Sequence, residues 1–414
     1  MRHTAEIERD RKYTAKLGDR SLFPHLEPLV YLNHAGISAP SSPVRHAVIA
    51  LLDSYAAHGS ASYPRWYAQR QQLRAKLAGL IGARPEDLGF VQSTTAGLTA
   101  VALCYPWREG DRVVLFSGEF PANVTPWQRA AELFRLETAF VPLDGFATAE
   151  GDGLARLEEE LARGARLVAV SAVQFQSGLR MPLEAIGALC RAHGAELCVD
   201  AVQAVGAVPI DVVAAGIDYL ACGSHKWLMG IEGCGFLYVR EPRLAALRPA
   251  VAGWLSHEDG LGFLLEGPDR LRYDRPIRRR ADFVEGGNLN AAGYAGLEAS
   301  VDLILQVGVQ AIHDHANAIN DALEAGLVER GFRSLRSPDK ARRSCSLGVI
   351  PPAGVPVARI HHELANLGIT CGMPDGVLRF APHWPNALDE VEQVLLCADE
   401  GMARIRGTSA GASG

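Results

Sequence analysis

The stretch 196–226 reads ELCVDAVQAVGAVPIDVVAAGIDYLACGSHK and contains two short apolar runs, 196–199 and 219–222, that predict buried β-strands. The same pattern extends in both directions. From about residue 88 to 240, short β-branched or apolar runs alternate with amphipathic helical segments. This alternation is typical of βαβ units, in which helices cover a parallel sheet. The sequence therefore predicts an α/β fold with a mostly parallel sheet.

Seven strands are predicted in this region. They are expected over 88–91, 112–116, 137–141, 166–170, 196–199, 219–222 and 236–239. Helices are predicted between them over 122–135, 154–163 and 182–193, and a long helical pattern follows over 291–330.

The chain is long enough for two domains. We predict a large domain over 22–262 and a smaller α+β domain formed by 1–21 and 285–404. The glycine- and arginine-rich segment 263–284 is expected to be an irregular connection. The small, polar tail 405–414 is predicted to be disordered.

Composition excludes several classes of function. Of 414 residues, 41 are basic and 47 acidic, and the net charge of −6 argues against binding to nucleic acid or an anionic membrane. The first twenty residues resemble no signal peptide and no apolar run is long enough to span a membrane, so we expect a cytosolic protein. The eight cysteines form no CxxC pair, which favours reduced, buried thiols over disulfides or a metal site.

Polar residues follow several predicted strands, where ligands bind in open parallel sheets. Thr94 and Thr95 lie between the strand 88–91 and a helical run, so backbone N–H groups and two hydroxyls could bind a phosphate there. Serine and threonine also cap helices without binding a ligand, and that alternative stays open.

An acid and a lysine follow two neighbouring strands. Asp200 ends an apolar strand, and a carboxylate there needs a partner, either a cationic ring nitrogen of a cofactor or a helix N-terminus. Lys226 follows the next strand, 26 residues later, in the sequence Gly-Ser-His-Lys-Trp. A partly buried lysine can act as an amine nucleophile and form a Schiff base, whereas most lysines are surface charges.

The hydroxyls at 94 and 95, Asp200 with Gln203 three residues on, and the Ser-His-Lys motif at 224–226 together resemble a pyridoxal 5′-phosphate (PLP) site. The chain resembles the class V aminotransferase family, which includes cysteine desulfurases, selenocysteine lyases, isopenicillin N epimerase and, more distantly, kynureninase. The similarity extends from YLNHAG at 31–36 to RFAPH at 379–383. It implies PLP-dependent fold type I, with a large domain built on a seven-stranded sheet and a small α+β domain.

The resemblance implies a role for each residue of the cofactor site. Lys226 matches the lysine that forms the aldimine and moves protons at the substrate α-carbon, and Asp200 matches the partner of the pyridine nitrogen. Gln203 would hydrogen-bond the phenolic oxygen of the ring. The phosphate would be held by Thr94, Thr95 and His225.

Other matches concern the ring face and a second subunit. Phe120 corresponds to the residue that stacks on the ring and is counted among the catalytic residues, although desulfurases have a histidine there that can transfer a proton. Asn123 would lie near the phenolic oxygen. Asn288 matches a loop residue that reaches the phosphate of the neighbouring subunit, which implies a homodimer.

The substrate side of the site is implied by three further residues. Arg379 matches the arginine that binds the substrate α-carboxylate, a task suited to a guanidinium. Asn33 and Trp254 are also expected to bind the substrate, although Trp254 could equally be a packing residue.

The reaction predicted from these residues is C–S or Cβ lyase chemistry on a small amino acid. A persulfide-forming desulfurase needs a mobile loop with a nucleophilic cysteine, and Cys371 lies only eight residues before Arg379, which is too close for such a loop. Alternatives are a class V aminotransferase or epimerase, a kynureninase-like hydrolase, and a non-catalytic PLP-binding scaffold.

Overall fold

Twelve β-strands occur in the part of the chain that the computed structural model describes, residues 13–411, with side chains for 13–407. They are β1 Val30–Tyr31, β2 Leu88–Val91, β3 Arg112–Ser117, β4 Glu137–Pro142, β5 Ala165–Ser171, β6 Glu196–Asp200, β7 Tyr219–Gly223, β8 Gly235–Val239, β9 Arg333–Ser334, β10 Leu347–Ile350, β11 Ile369–Thr370 and β12 Leu378–Phe380.

A seven-stranded sheet forms the centre of the molecule, in the order β2-β8-β7-β6-β5-β3-β4. Only β8 runs antiparallel to its neighbours, β2 and β7. The predicted α/β fold with a mostly parallel seven-stranded sheet is therefore confirmed, and each predicted strand lies within one residue of its observed bounds at either end.

Helices cover both sides of this sheet and build the second unit. Their bounds are Ser42–His58, Tyr63–Leu80, Thr94–Cys104, Thr125–Phe134, Gly153–Ala162, Leu183–Ala192, Glu241–Leu244, Gly262–Leu265, Ala291–Val307, Val309–Glu329, Val357–Asn366 and Glu390–Gly411. The helices predicted over 122–135, 154–163 and 182–193 are confirmed, although the first begins three residues late because Pro121–Asn123 forms a 3₁₀ turn.

The long helix predicted over 291–330 is wrong as a single element. Two helices, Ala291–Val307 and Val309–Glu329, meet at an angle of 78°. Gly308 lies between them with a φ of 87°, a conformation that glycine adopts without steric cost. In the described residues no single helix is long and apolar enough to cross a membrane, and this bent pair passes that test only jointly.

Two buried cores correspond to the two units. The larger lies on the seven-stranded sheet and includes Tyr294 and Leu297 of the helix Ala291–Val307. The smaller is formed on the antiparallel sheet β12-β10-β9 and includes Leu32, directly after β1, which pairs with β11. Residues of each predicted domain therefore contribute to the core of the other. The exact domain boundaries stay a prediction.

The C-terminal segment differs from the prediction. The helix Glu390–Gly411 includes most of the segment 405–414 that was predicted to be disordered, so that prediction is wrong as far as Gly411. Apolar residues such as Met402 and Ile405 are buried in the smaller core, which explains why the helix continues past 404. Residues 412–414, and 1–12 of the predicted small domain, lie outside the described residues.

A close backbone approach fixes the segment that carries Lys226. A Cβ atom at Gly206, whose φ is 105°, would lie 2.3 Å from the carbonyl oxygen of Trp227. We expect Gly206→Ala to destabilise the protein by roughly 1–3 kcal/mol more than Gly164→Ala, because overpacking adds to the conformational cost. Gly164 is the matched control, since its φ is 92° and a Cβ there would meet no atom within 4 Å. Equal changes in the free energy of unfolding of the two variants would contradict this packing.

Candidate active site

The carboxyl ends of the parallel strands bring together polar residues that are far apart in the sequence. Thr94 follows β2, Glu119 to Asn123 follow β3, Gln174 follows β5, Asp200 ends β6, and Lys226 follows β7. Because these strand ends lie along one edge of the sheet, their side chains share one cleft.

Lys226 places an amine in this cleft. Its Nζ lies 5.4 Å from the centre of the Phe120 ring. Burial lowers the pKa of Lys226, Asp200 raises it in opposition, and Arg379 lowers it further. A lowered pKa leaves more of the amine neutral near pH 7, and the neutral amine is the nucleophilic form.

Asp200 is almost completely buried, with 2% of its surface exposed. Its Oδ1 accepts a hydrogen bond from the N–H of Val202 at 2.9 Å. Burial raises the pKa of Asp200 to about 6, while Val202 and Lys226 lower it in opposition. A buried carboxylate of this kind is stabilised by a positive charge placed against it.

Gln203 connects two segments beneath the cleft. Its Nε2 donates to the carbonyl of Ala35 at 2.9 Å, and its Oε1 accepts from Nε1 of Trp227 at 2.8 Å. A glutamine amide has two N–H groups, so a second donor is present for a ligand.

The helix Thr94–Cys104 begins beside the end of β7. Thr94 is buried and its Oγ1 accepts from the N–H of Gly223 at 2.8 Å, whereas Thr95 is exposed. The helix approaches closely because Gly97 faces Ala221, where a Cβ would lie 2.8 Å from the alanine Cβ. His225 is half-buried next to Lys226, and burial lowers its pKa. Donors suited to a phosphate therefore meet at this end of the cleft.

Phe120 and Asn123 lie in the loop after β3. The Phe120 side chain is 44% exposed. Asn123 is completely buried, its Oδ1 accepts from Nε1 of Trp127 at 3.1 Å, and its Nδ2 has no partner among the described residues. A buried amide N–H without an acceptor is costly, so a ligand oxygen is expected to complete it.

Arg379 is buried without an ion pair to any described carboxylate. Its exposed fraction is 5%, and its Nη1 donates to the carbonyl of Phe175 at 2.6 Å, while Nε has no described partner. Burial lowers the pKa of Arg379 to about 10. A buried guanidinium in this state is suited to an anionic ligand.

Asn33 lies next to this guanidinium. A Cβ built on Gly372 would be 3.0 Å from Oδ1 of Asn33 and 3.2 Å from Nη2 of Arg379, so both side chains face the same glycine. Oδ1 of Asn33 is buried without a partner among the described residues. The structure therefore brings together Asn33 and Arg379, as the predicted shared role requires.

Asn288 and Trp254 are the two predicted site residues that no described contact connects to Lys226 or Arg379. Asn288 is exposed in the loop before the helix Ala291–Val307. Trp254 is 42% exposed, and its ring lies 6.0 Å, centre to centre, from that of Phe263. Both positions stay predictions.

Two residues that the sequence analysis did not single out, Ser38 and His34, hold the backbone around Lys226. Ser38 donates its N–H to the carbonyl of His225 at 2.8 Å and its hydroxyl to the carbonyl of Lys226 at 2.7 Å. Because the Ser38 hydroxyl is the donor in that bond, it accepts from Nδ1 of His34 at 2.8 Å. The motif NHAG at 33–36 was quoted only as part of the resemblance, and no local signal indicates these contacts.

His383 holds the next residue from the small unit. Its Nδ1 accepts from the N–H of Trp384 at 2.7 Å, so Nε2 carries the proton and donates to the carbonyl of Trp227 at 3.0 Å. His383 follows Arg379 by four residues. One segment therefore carries the Arg379 guanidinium and also binds the backbone next to Lys226.

Glu119 is a second buried acid that the sequence analysis did not predict. Its Oε1 accepts from the N–H of Ser171 at 2.6 Å and from Nε2 of Gln174 at 3.1 Å, and the Ser171 hydroxyl donates to Oε2. Burial raises the pKa of Glu119 to about 7. These bonds fix the loop of Phe120 to the end of β5.

Cys371 is buried and close to Arg379. Its exposed fraction is 4%, and burial raises the pKa of its thiol to about 12. Every one of the eight cysteines is buried. A buried thiol with a raised pKa is a poor nucleophile, which agrees with the expectation that Cys371 is structural.

The residues present fit PLP. Asp200 offers a buried carboxylate to a ring nitrogen, Asn123 has an unpartnered amide donor, and Lys226 offers an amine with a lowered pKa. The start of the helix Thr94–Cys104 offers donors to a phosphate. The fold and this donor set define a PLP-dependent enzyme of fold type I.

Comparison with known proteins gives the family. The model of the family described as Aminotransferase class-V matches residues 30–373, and the chain belongs to this family of PLP-dependent enzymes. An uncharacterized aminotransferase, YcbU, of Bacillus subtilis is 28% identical over 91% of this chain and 95% of its own length. A cysteine desulfurase of Salmonella typhimurium is 31% identical over 72% of this chain and 73% of its own.

A similar fold is found among solved structures. One is a complex between the cystine C–S lyase C-DES and its reaction product cysteine persulfide, with a TM-score of 0.82. It is 24% identical and covers 91% of this chain and 99% of that chain.

The buried His383 makes stability depend on pH. Burial lowers the pKa of His383 to about 4 from its usual 6.5, so its contribution to folding is complete above about pH 6.5 and is lost as the pH falls towards 4. Glu119 and Asp200 act with the opposite sign, because their pKa values are raised. The informative quantity is therefore a difference between wild type and a variant.

We expect the stability advantage of the wild type over His383→Asn to shrink by up to about 1.4 kcal/mol per pH unit between pH 6.5 and 5. The measurement is denaturant unfolding of both proteins at each pH. His58→Gln, at an exposed histidine, is the control and should show no such trend. An advantage of His383 that stays constant over this range would contradict a buried neutral histidine.

Proposed function

We propose that the protein is a C–S lyase of the cysteine desulfurase-like group that acts on a small amino acid through Lys226. The observation that supports this most is a set of three charged side chains, in which the half-buried Lys226 has a lowered pKa, the buried Asp200 faces it, and the buried Arg379 lacks an ion pair to any described carboxylate. One cleft thus offers an amine, a partner for a cationic ring, and a binding group for a carboxylate.

The cofactor is held by the residues at the strand ends. Bound PLP supplies an electron sink that stabilises negative charge at the substrate α-carbon. Asp200 would pair with its ring nitrogen, and Gln203 and Asn123 would donate to its phenolic oxygen. Thr94, Thr95 and His225 would bind its phosphate, where the helix N-terminus adds a favourable dipole.

The substrate is oriented by Arg379 and Asn33. The guanidinium binds the α-carboxylate, and its fixed position directs the α-hydrogen towards Lys226, whose neutral amine removes and returns the proton. Phe120 covers the ring face and has no proton to transfer, so the acid–base work at this position is left to Lys226.

The choice of C–S cleavage is supported by the relatives. The Salmonella typhimurium protein is named a cysteine desulfurase, and the similar solved structure is a cystine C–S lyase with cysteine persulfide. The buried thiol of Cys371 favours release of the sulfur to a small molecule over transfer to a protein thiol. Aminotransferase chemistry is the second candidate, because YcbU is named an aminotransferase. Epimerisation, kynureninase-like hydrolysis and a non-catalytic scaffold have no specific observation in their favour.

The proposed assembly is a homodimer. Asn288 would complete the phosphate site of the partner subunit, which agrees with its exposure in a loop that Glu285 anchors through an ion pair to Arg74 at 2.7 Å. Trp254 would lie near the mouth of the site and contact the substrate. The cytosolic location stays a prediction.

A product screen tests the proposed function. The holoenzyme is incubated separately with L-cystine, L-cysteine, L-alanine and L-kynurenine, and sulfide or persulfide, pyruvate, alanine and other keto acids are each measured. We expect sulfur release with pyruvate or alanine, and no release from Lys226→Ala, which also loses borohydride-stabilised attachment of the cofactor. If a keto acid forms from the substrate only when another keto acid is added to accept the amino group, the protein is an aminotransferase instead.

A cysteine variant tests the route of the sulfur. We expect Cys371→Ala to change kcat by less than about tenfold, because a buried thiol with a raised pKa does not take part in the reaction. Cys397→Ala is the matched control, since Cys397 is a free cysteine with 5% exposure in the helix Glu390–Gly411. Loss of sulfur release in the Cys371 variant alone, with the cofactor still bound, would overturn this route.

A further inference from the structure

The loop after β5 carries an aromatic residue, Phe175, to which none of the roles described above is assigned. Its backbone carbonyl accepts from Nη1 of Arg379 at 2.6 Å. Its ring lies 5.3 Å from that of Phe120, centre to centre, at an interplanar angle of 76°. Phe175 therefore contacts Arg379, which we propose binds the substrate carboxylate, through its backbone carbonyl. It contacts Phe120 through its ring.

Neighbouring residues hold this loop in place. Nε2 of Gln174 donates to Glu119 at 3.1 Å, and Nε2 of Gln176 donates to Asp375 at 2.9 Å. Glu119 belongs to the loop of Phe120, and Asp375 belongs to the turn between Gly372 and Arg379. The position of the Phe175 ring is thus determined from both sides, as a group that selects substrates must be.

Phe120 and Phe175 each contact one of the two groups that would fix a substrate. A substrate with its carboxylate at Arg379 and its α-carbon within reach of Lys226 must direct its β-substituent along the remaining space. Phe120 lies 5.4 Å from Nζ of Lys226, and Phe175 is bound to Arg379. Both rings are partly exposed and lie at 76° to each other, so with the face of Phe120 over the cofactor, the ring of Phe175 remains as an apolar surface for the β-substituent.

We propose that Phe175 is a specificity-determining residue that selects cysteine derivatives whose sulfur is bonded to carbon or to a second sulfur, as in a thioether or disulfide, over a free thiol or a charged sulfinate. This rests on the proposed C–S lyase function. A polarisable sulfur and its substituent contact aromatic rings favourably, whereas an acidic β-substituent would lose hydration beside them without a partner. A free cysteine thiol covers little of the two rings.

The buried cysteines favour elimination over desulfuration. Removing sulfur from free cysteine to give alanine leaves sulfane sulfur, which needs a thiol acceptor, and all eight cysteines are buried. Elimination needs only water, whether the sulfur carries hydrogen or a substituent, so the preference for an S-substituted cysteine rests on the contacts of its substituent with Phe175. The α-proton passes to Lys226, the Cβ–S bond breaks with its electron pair on sulfur, and the thiolate leaves. Water then completes the products, which are a thiol or persulfide, pyruvate and ammonium, with no oxidant or reductant consumed.

The test begins with turnover. The holoenzyme is assayed with S-methyl-L-cysteine, L-cystine, L-cysteine and L-cysteine sulfinate. We expect kcat/KM for the first two to exceed that for the last two by roughly tenfold or more. Phe175→Gln should remove this preference mainly through KM, and Phe175→Leu should keep most of it. Phe140→Gln, at a 44% exposed phenylalanine of β4, is the control.

A binding measurement separates this proposal from the proposed function. L-methionine and L-glutamate carry a thioether and a carboxylate on chains of similar length, and their dissociation constants are measured from the absorbance of the bound cofactor. We expect methionine to bind at least about tenfold more tightly, and Phe175→Gln to weaken methionine alone. Without any C–S cleavage, this pattern would still support Phe175 and would reject the lyase. Equal binding of the two, or equal weakening by Phe175→Gln with the cofactor retained, would overturn the role of Phe175.

Discussion

The structure depends on holding the half-buried Lys226 near the buried Asp200 at the ends of adjacent strands. In the parallel pairing of β6 with β7, Asp200 is opposite Ala221, so the acid ends one strand just before the chain leaves the other towards Lys226. Burial opposes both charged forms, and each charge partly offsets the cost for the other. Such an arrangement is stable only if the backbone around it cannot relax, and the contacts of Gln203 and Gly206 with Trp227 restrict it.

Residues of both units restrict the backbone around Lys226. β12 carries Arg379, and the chain continues through His383, which donates to the carbonyl of Trp227. On the other side, Asn33 is bridged to Ala381, and Ser38 holds the carbonyls of His225 and Lys226. Arg379, the proposed carboxylate-binding residue, and the amine of Lys226 are therefore held at fixed positions relative to each other, although they belong to different cores. This explains why neutral, buried histidines occur here, since His383 satisfies two polar groups and His34 one without introducing a charge.

The aromatic rings of the cleft and its buried thiol support the proposal that sulfur is not transferred to a protein thiol. Phe120 has no proton to transfer, Phe175 packs against it, and Cys371 is enclosed beside Arg379 in a short turn. Proton transfer is assigned to Lys226, while the surrounding aromatic rings favour contact with polarisable, uncharged groups. A leaving group that already carries its own substituent suits this environment better than sulfur that must be handed to a protein thiol.

The sequence by itself determined the α/β class, the seven strands, and the position of Thr94, Asp200 and Lys226 after strand ends, because these follow from local periodicity and strand order. The resemblance added Arg379, Asn33 and Phe120, and the structure brings Arg379 and Asn33 together. Tertiary structure alone decided the break at Gly308, the helix beyond residue 404 and the networks of Glu119, Ser38, His383 and Phe175. Those networks join segments 52 to 204 residues apart, such as Arg379 and Phe175, and no local pattern encodes a distance between them.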